Sequence, residues 1–257
     1  MSESVFQRIR TSRRARLAVP LVLTAIVFLP TLWIGFINDD VAVIQRSLKT
    51  EPPHLLSLLS PQEVMSDLYY RPLVSLSFMT DYFFWGWDPA GYRVTNLLLH
   101  LFMVWLVMWL ALALDSGEGQ AVLAALWFGL LPIHETSLYW IPGRTDILCA
   151  VFYLAALIAF ISWHRTRRAS RLVLSLLAFA AALLSKEMAL SLPLLIPVVV
   201  WYLCRNQPKH AWIRTSLLQV LPFVALALLV LGARWGMLNN SLLTASNPFH
   251  EMHPSFT

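Results

Sequence analysis

Residues 17–40 read LAVPLVLTAIVFLPTLWIGFINDD, an uncharged apolar run from Leu17 to Ile37 that stops abruptly on Asn38-Asp39-Asp40. Arg8, Arg10, Arg13, Arg14 and Arg16 precede it. The run is too long for the apolar core of a cleaved signal peptide and ends without a small-residue cleavage site. A hydrocarbon layer about 30 Å thick takes about 20 apolar residues per helix, so this stretch reads as a retained membrane helix. The arginines ahead of it place the N-terminus inside.

Working outward, further apolar runs extend approximately over Ala90–Leu114, Gln120–His134, Ile147–His164, Arg171–Ser185, Met188–Leu203 and Leu217–Leu231. The third and fifth runs of the whole series are short enough to be re-entrant segments instead. Loop charge favours spanning. With seven spans, 12 of the 19 Lys/Arg but only 3 of the 14 Asp/Glu fall on the inner side, as the positive-inside rule asks. Trp33, Trp85, Trp87, Trp140 and Trp235 then mark the outer interface, and Trp163, Trp201 and Trp212 the inner one. The expected fold class is an all-α polytopic membrane bundle. It comprises a basic tail at 1–16, a transmembrane module at 17–234 with a long outer loop at 38–89, and an outer tail at 235–257. Within the loop, Leu55–Leu59 and Leu73–Trp87 suit short helices lying in the membrane interface.

Composition agrees. The 257 residues are 58% hydrophobic and 13% charged, far from the roughly 25% charged of soluble domains. Two cysteines, Cys149 and Cys204, belong to opposite membrane faces and read as free thiols. The net charge of +5 is a topology signal, so no nucleic-acid partner is implied. No Walker loop or Gly-x-Gly-x-x-Gly occurs, which excludes nucleotide chemistry of those kinds. His250-Glu251-Met252-His253 lacks metal-ligand spacing, and Asn239-Asn240-Ser241 is a glycosylation sequon only in a secretory membrane.

An ionisable group near hydrocarbon is costly and needs a reason. Here such groups gather on the outer side. Asp39 and Asp40 end the first span, Arg71 stands between Tyr70 and Pro72, and Arg93, Asn96 and His100 share one face of the second span. His134 and Glu135 end the third, Arg144 and Asp146 open the fourth, Lys186 and Glu187 join the fifth to the sixth, and Arg234 ends the seventh. Taken one at a time, each has a structural reading as a helix stop, a hairpin or a surface ion pair. Together they predict a charge-lined cavity facing outward. A secondary transporter would need polar groups continuing inward and paired repeats, and neither is present.

In order along the chain, Asp39-Asp40, Tyr70-Arg71-Pro72-Leu73, Gly91-Tyr92-x-x-x-Asn96-x-x-x-His100, Pro132-x-His134, Trp140-x-x-Gly143-Arg144-x-Asp146 and Ser185-Lys186-Glu187 resemble the motifs of a known family. They are similar to those of the membrane O-mannosyltransferases that carry tetratricopeptide repeats and of their bacterial relatives, members of the GT-C glycosyltransferase superfold. The resemblance covers the amino-terminal transmembrane module. Relatives continue through more spans, so the chain is expected to be a fragment, a truncated gene product or a minimal module of such an enzyme. Arg93, Leu131 and Thr136 depart from the family, which has His, His and an acid there, and Glu135 is displaced by one position.

The resemblance implies an inverting transfer of a sugar from a polyprenyl phosphate to a hydroxyl acceptor of a protein, glycan or lipid at the outer face. It implies Asp39 as general base, with Asp40 orienting it or binding the acceptor, the two roles being exchangeable. Arg71, Arg144, Lys186 and Arg234 would hold the lipid phosphate. Tyr70, Arg93, Asn96, His100, His134, Glu135, Asp146 and Glu187 would support them or bind substrate. No metal or other cofactor is demanded, because the cations can offset the leaving phosphate. A bacterial inner membrane with a periplasmic site suits the short loops, and an endoplasmic-reticulum membrane has the same geometry. The alternative is a non-catalytic module that binds lipid-linked substrate or a partner.

Overall fold

The computed structural model describes residues 3–48, 71–206 and 208–245. Tyr70, the Leu55–Leu59 segment and His250–His253 lie outside the described residues. Among the described residues the secondary structure is entirely helical. Helix α1 is Glu3–Phe28, continued by a 3-10 turn at Leu29–Trp33, and α2 is Asp40–Leu48. Then come α3 (Pro72–Trp85), α4 (Pro89–Ala113), α5 (Glu118–Gly129), α6 (Glu135–Tyr139), α7 (Arg144–Thr166), α8 (Ala169–Ser185), α9 (Leu192–Leu203) and α10 (Lys209–Ala245). Three further 3-10 turns, Pro132–His134, Ile141–Gly143 and Glu187–Ser191, connect them.

Four stretches are long and apolar enough to cross a membrane: Ala15–Trp33, Pro89–Ala113, Ile141–Thr166 and Trp212–Trp235. The pair Glu118–Gly129 and Pro132–Tyr139, bent by 49°, makes a fifth if it is one span. Ala169–Ser185 and Glu187–Leu203 are apolar but shorter. The seven runs of the sequence therefore reappear as helices, but four or five of them, not seven, are long and apolar enough to span. Of the two runs expected to be short, the fifth remains so, the third gains length from its bent partner, and the sixth joins the short ones. The protein is a multi-pass membrane bundle. Its outward faces are correspondingly apolar, with Ile26, Leu123, Trp127, Leu194 and Leu228 exposed, where a bilayer would solvate them. The last helix differs from expectation, since α10 runs unbroken through the predicted boundary at 235 to Ala245. Pro222 lies within it.

Local signals explain the helix starts. Pro89 occupies the first turn of α4, where its missing N–H costs nothing, and the Asp88 side chain caps the same turn by accepting from the Ala90 N–H at 3.0 Å. Asn38 adopts a positive φ of 49°, a left-handed conformation that asparagine tolerates. The chain turns there into α2, so Asp39 and Asp40 diverge by about 100° around the new helix. One is exposed and the other fully buried.

Two cores are the largest in the bundle, and a smaller one of Val104, Met108, Ala121 and Ala125 seats α5 on α4 and α1. Of the two, one fills the space between α7, α8, α9 and α10 with Ala156, Phe160, Phe179, Ala182, Ile196 and Phe223. The other joins α1, α4, α6 and α7 through Phe28, Leu97, Met103, Leu138 and Val151. A smaller apolar cap of Ile44, Val74, Phe78, Tyr92 and Ile141 closes the end where α2 and α3 cross the bundle.

Candidate functional site

Two layers of polar groups occupy that end, and the inner one is wholly buried. Asp40 is its first centre. Its carboxylate accepts from the backbone N–H of Ile37 at 2.9 Å and of Ile141 at 3.1 Å, and lies 3.4 Å from Arg93 Nη2. Burial pushes the Asp40 carboxyl above the usual range, opposed by those two N–H groups and by the Arg93 charge. Arg93 distributes its other donors to backbone carbonyls: Tyr139 at 2.9 Å, Ile34 at 2.7 Å and Gly35 at 2.7 Å. The Asp40–Arg93 pair thus ties the end of the first span to α2, α4 and the Ile141–Gly143 turn. Its desolvation is offset by hydrogen bonds to nearly every charged edge.

Arg144 is the second centre. It pairs with Asp81 of α3 at 2.5 Å and donates from Nε to Asn96 Oδ1 at 2.6 Å and from Nη2 to the Tyr92 carbonyl at 2.8 Å. Its guanidinium lies 4.8 Å from the centre of the Phe78 ring. Thr95 Oγ1 donates to the other Asp81 oxygen at 2.8 Å, and Asn96 Nδ2 donates to the carbonyls of Ser137 and Ile141. Arg144, expected to grip a phosphate, has no exposed surface. Its position at the start of α7 faces a buried acid, so it fastens helices together. Arg93 and Asn96, expected to support substrate, likewise spend their polar groups on backbone and on Arg144.

Asp81 escaped the sequence reading. It lies in the Leu73–Trp87 run, which reads as an interfacial helix, yet its side chain is 6% exposed. The usable signal was a single acid inside an otherwise uncharged helix.

The outer layer is more accessible. Asp39 is exposed and its Oδ1 accepts from the indole Nε1–H of Trp140 at 2.8 Å. Glu187, 39% exposed, bridges two arginines: Arg71 Nη2 to Oε2 at 2.9 Å and Arg234 Nη1 to Oε1 at 3.0 Å. Arg234 also donates to the Leu183 carbonyl at 2.6 Å. Burial drives the Glu187 carboxyl upward, but the Arg71 hydrogen bond and the charges of Arg71 and Arg234 outweigh it and hold it below the usual range. Lys186 pairs with Asp146. Residues from the start of α3, the start of α7, the α8 end and α10 therefore meet at one end of the bundle.

His100 and His134 stand apart from both layers. His100 is fully buried with Nε2 at 3.2 Å from the Gly129 carbonyl, and the two rings lie 4.9 Å apart beside Phe128. Glu135 is exposed in the first turn of α6 and joins neither layer. The opposite end of α7 holds His164, whose Nε2 is 3.7 Å from Cys204 Sγ, whereas Cys149 lies at the polar end near the Lys186 carbonyl. Both cysteines are free, as expected.

Close backbone approach makes the Ile141–Gly143 turn possible. A Cβ on Gly143 would stand 2.7 Å from Ser137 Cα, and backbone cannot yield as a side-chain tip can. Gly143→Ala is expected to cost about 1–3 kcal/mol and to lower the melting temperature of the detergent-solubilised protein. A melting temperature within 1 °C or so of wild type would contradict that packing.

These features define a class: an all-helical multi-pass membrane protein with a layered ionisable site at one end, of the kind resembled by GT-C glycosyltransferases. Comparison with known proteins makes the relation specific. The chain is 31% identical over 189 residues to Protein O-mannosyl-transferase Tmtc1 of Drosophila melanogaster, covering 70% of this chain and 22% of that protein. It is 33% identical over 155 residues to Protein O-mannosyl-transferase tmtc2 of Xenopus laevis, covering 56% and 18%. Against human Protein O-mannosyl-transferase TMTC3 it is 28% identical over 175 residues, covering 63% and 19%. Its homologues are thus TMTC protein O-mannosyl-transferases, and the chain spans about a fifth of the length of these curated relatives. No family model and no solved structure matches it.

Proposed function

We propose that this chain is the amino-terminal module of an inverting glycosyltransferase that takes a sugar from a polyprenyl phosphate and passes it to a hydroxyl at the outer membrane face. The observation that carries the reading is the division of labour between the two adjacent acids. Asp40 is fully buried with both oxygens engaged, whereas Asp39 is exposed at the polar end with only Oδ1 bonded among the described residues. An acceptor hydroxyl can reach Asp39 and not Asp40. Asp39 is therefore the general base, and Asp40 the anchor that sets its backbone.

In the transfer, Asp39 takes the acceptor proton as the hydroxyl oxygen bonds to the anomeric carbon. The bond from that carbon to the phosphate oxygen breaks, and the lipid phosphate leaves with the electron pair. Negative charge grows on the phosphate, and fixed cations stabilise it best where water is scarce. Arg71, Arg234 and Lys186 are assigned to this task. Arg144 is not, because its burial keeps it from any ligand. Arg71 and Arg234 already hold one anion between them, the Glu187 carboxylate, which shows that their guanidinium groups converge. The sugar is assigned as mannose from the names of the relatives, and the acceptor as a protein on the same ground.

The direct test is turnover of radiolabelled polyprenyl-phosphate mannose by membranes containing the protein. Arg71→Ala and Arg234→Ala are each expected to raise KM for the donor on the order of 10-fold or more, as loss of a charge-assisted contact implies. An unchanged KM in both would remove these arginines from donor binding.

A further inference from the structure

The sequence assigns Trp140 to the belt of interfacial aromatics, a role that an amphipathic ring fills without any specific partner. Its surroundings ask for more. The indole N–H reaches across 101 positions to Asp39 Oδ1 at 2.8 Å. The backbone on either side of Trp140 is fastened to the buried layer. Arg93 Nε bonds the Tyr139 carbonyl at 2.9 Å, Asp40 Oδ1 accepts the Ile141 N–H at 3.1 Å, and the Trp140 N–H itself bonds the Thr136 carbonyl at 3.3 Å. A rigid two-torsion side chain on a pinned backbone thus holds one oxygen of an exposed carboxylate that would otherwise sample several rotamers.

We infer that Trp140 is a positioning residue for the Asp39 base: its indole N–H occupies Oδ1 and leaves Oδ2 directed at the acceptor hydroxyl. This rests on the transfer reading above. Adjacent acids at a helix start have no intrinsic reason to present one oxygen in a fixed direction. Asp40 is fixed by backbone N–H groups, which Asp39 lacks among the described residues, and Trp140 supplies the equivalent constraint from a distant part of the chain. Misplacement of a reacting group by about 1 Å costs on the order of 100-fold, so the constraint acts on turnover and not on donor affinity.

Trp140→Phe keeps an aromatic ring and deletes the donor, whereas Trp140→His has a smaller ring and keeps an N–H. The measurement is release of labelled mannose from polyprenyl-phosphate mannose, with kcat and KM separated, alongside melting temperatures and Asp39→Asn. Trp140→Phe is expected to lose about 10–100-fold in kcat with KM for the donor unchanged. Trp140→His should recover part of that kcat even if it melts lower. In indole 15N–1H spectra, the signal absent from Trp140→Phe should be the one that moves in Asp39→Asn. Wild-type kcat in Trp140→Phe beside an inactive Asp39→Asn would overturn the positioning role alone. So would activities that follow the order of melting temperatures, or an indole signal insensitive to Asp39→Asn. An Asp39→Asn variant that still turns over would remove Asp39 as the base and this inference with it, and a wild-type protein without turnover would sink the transfer reading as well.

Discussion

Asp39→Asn is expected to cripple sugar release from polyprenyl-phosphate mannose while leaving the protein as abundant and as heat-stable as wild type. The expected loss is about 10²–10⁴-fold, the usual contribution of a positioned general base. The prediction has this asymmetric form because Asp39 is exposed and makes one side-chain contact to Trp140 among the described residues. Asn is nearly the same shape and can still accept the indole hydrogen bond, so the backbone turn at Asn38 has no reason to change. What Asn lacks is the capacity to take a proton. The neighbouring substitution behaves in the opposite way. Asp40→Asn removes a buried charge that faces Arg93 at 3.4 Å and is expected to lower stability as well as activity. If Asp39→Asn retained turnover and Asp40→Asn, properly folded, lost it, the two acids would exchange roles.

Arg144→Ala is expected to be the most destabilising single change. It strips the partner from Asp81, leaving a buried carboxylate, and frees Asn96 Oδ1 and the Tyr92 carbonyl together. Breaking one side of a buried ion pair costs about 3–5 kcal/mol, a large share of the 5–15 kcal/mol that holds ordinary domains together. The measurement is the melting temperature in detergent, with a double-mutant cycle to separate pair from packing. Asp81→Ala together with Arg144→Ala should destabilise by clearly less than the sum of the two single changes, because no charge is then stranded. Simple additivity would show that the two residues act independently. A ligand-binding arginine would instead leave stability intact and raise KM, so the same variant separates the buried role from the phosphate-holding role that the motif resemblance implied.

The comparison of Arg144 with Arg71 shows how far a sequence carries such an assignment. Both stand beside proline or glycine at the mouth of an apolar run, and both belong to motifs shared with the same family. Arg71 emerges on the more accessible layer, beside Arg234 and about Glu187, and Arg144 does not. The difference is Asp81, a residue 63 positions before Arg144 that α3 carries into the bundle. The lone acid marks the position, but periodicity cannot reveal its partner, since an acid in a short interfacial run is equally at home facing water. Trp140 was similarly legible as an interfacial aromatic and illegible as a partner of Asp39. Glu135 and His134 read together as part of the site, yet among the described residues both lie outside the two layers, Glu135 exposed at the start of α6.

The amino-acid sequence alone determined that this protein is a bundle of apolar helices with mixed acids and bases gathered at the span edges of one end and dispersed arginines at the other. Both properties follow from the cost of placing charge in hydrocarbon, which acts residue by residue and is therefore written locally. It also separated the two cysteines and located the first span and its paired acids. Only the tertiary structure decided which of those ionisable groups hold the helices together and which remain accessible. That division depends on whether a side chain finds a counter-charge or an N–H from another helix, and such pairings are made between segments tens of residues apart.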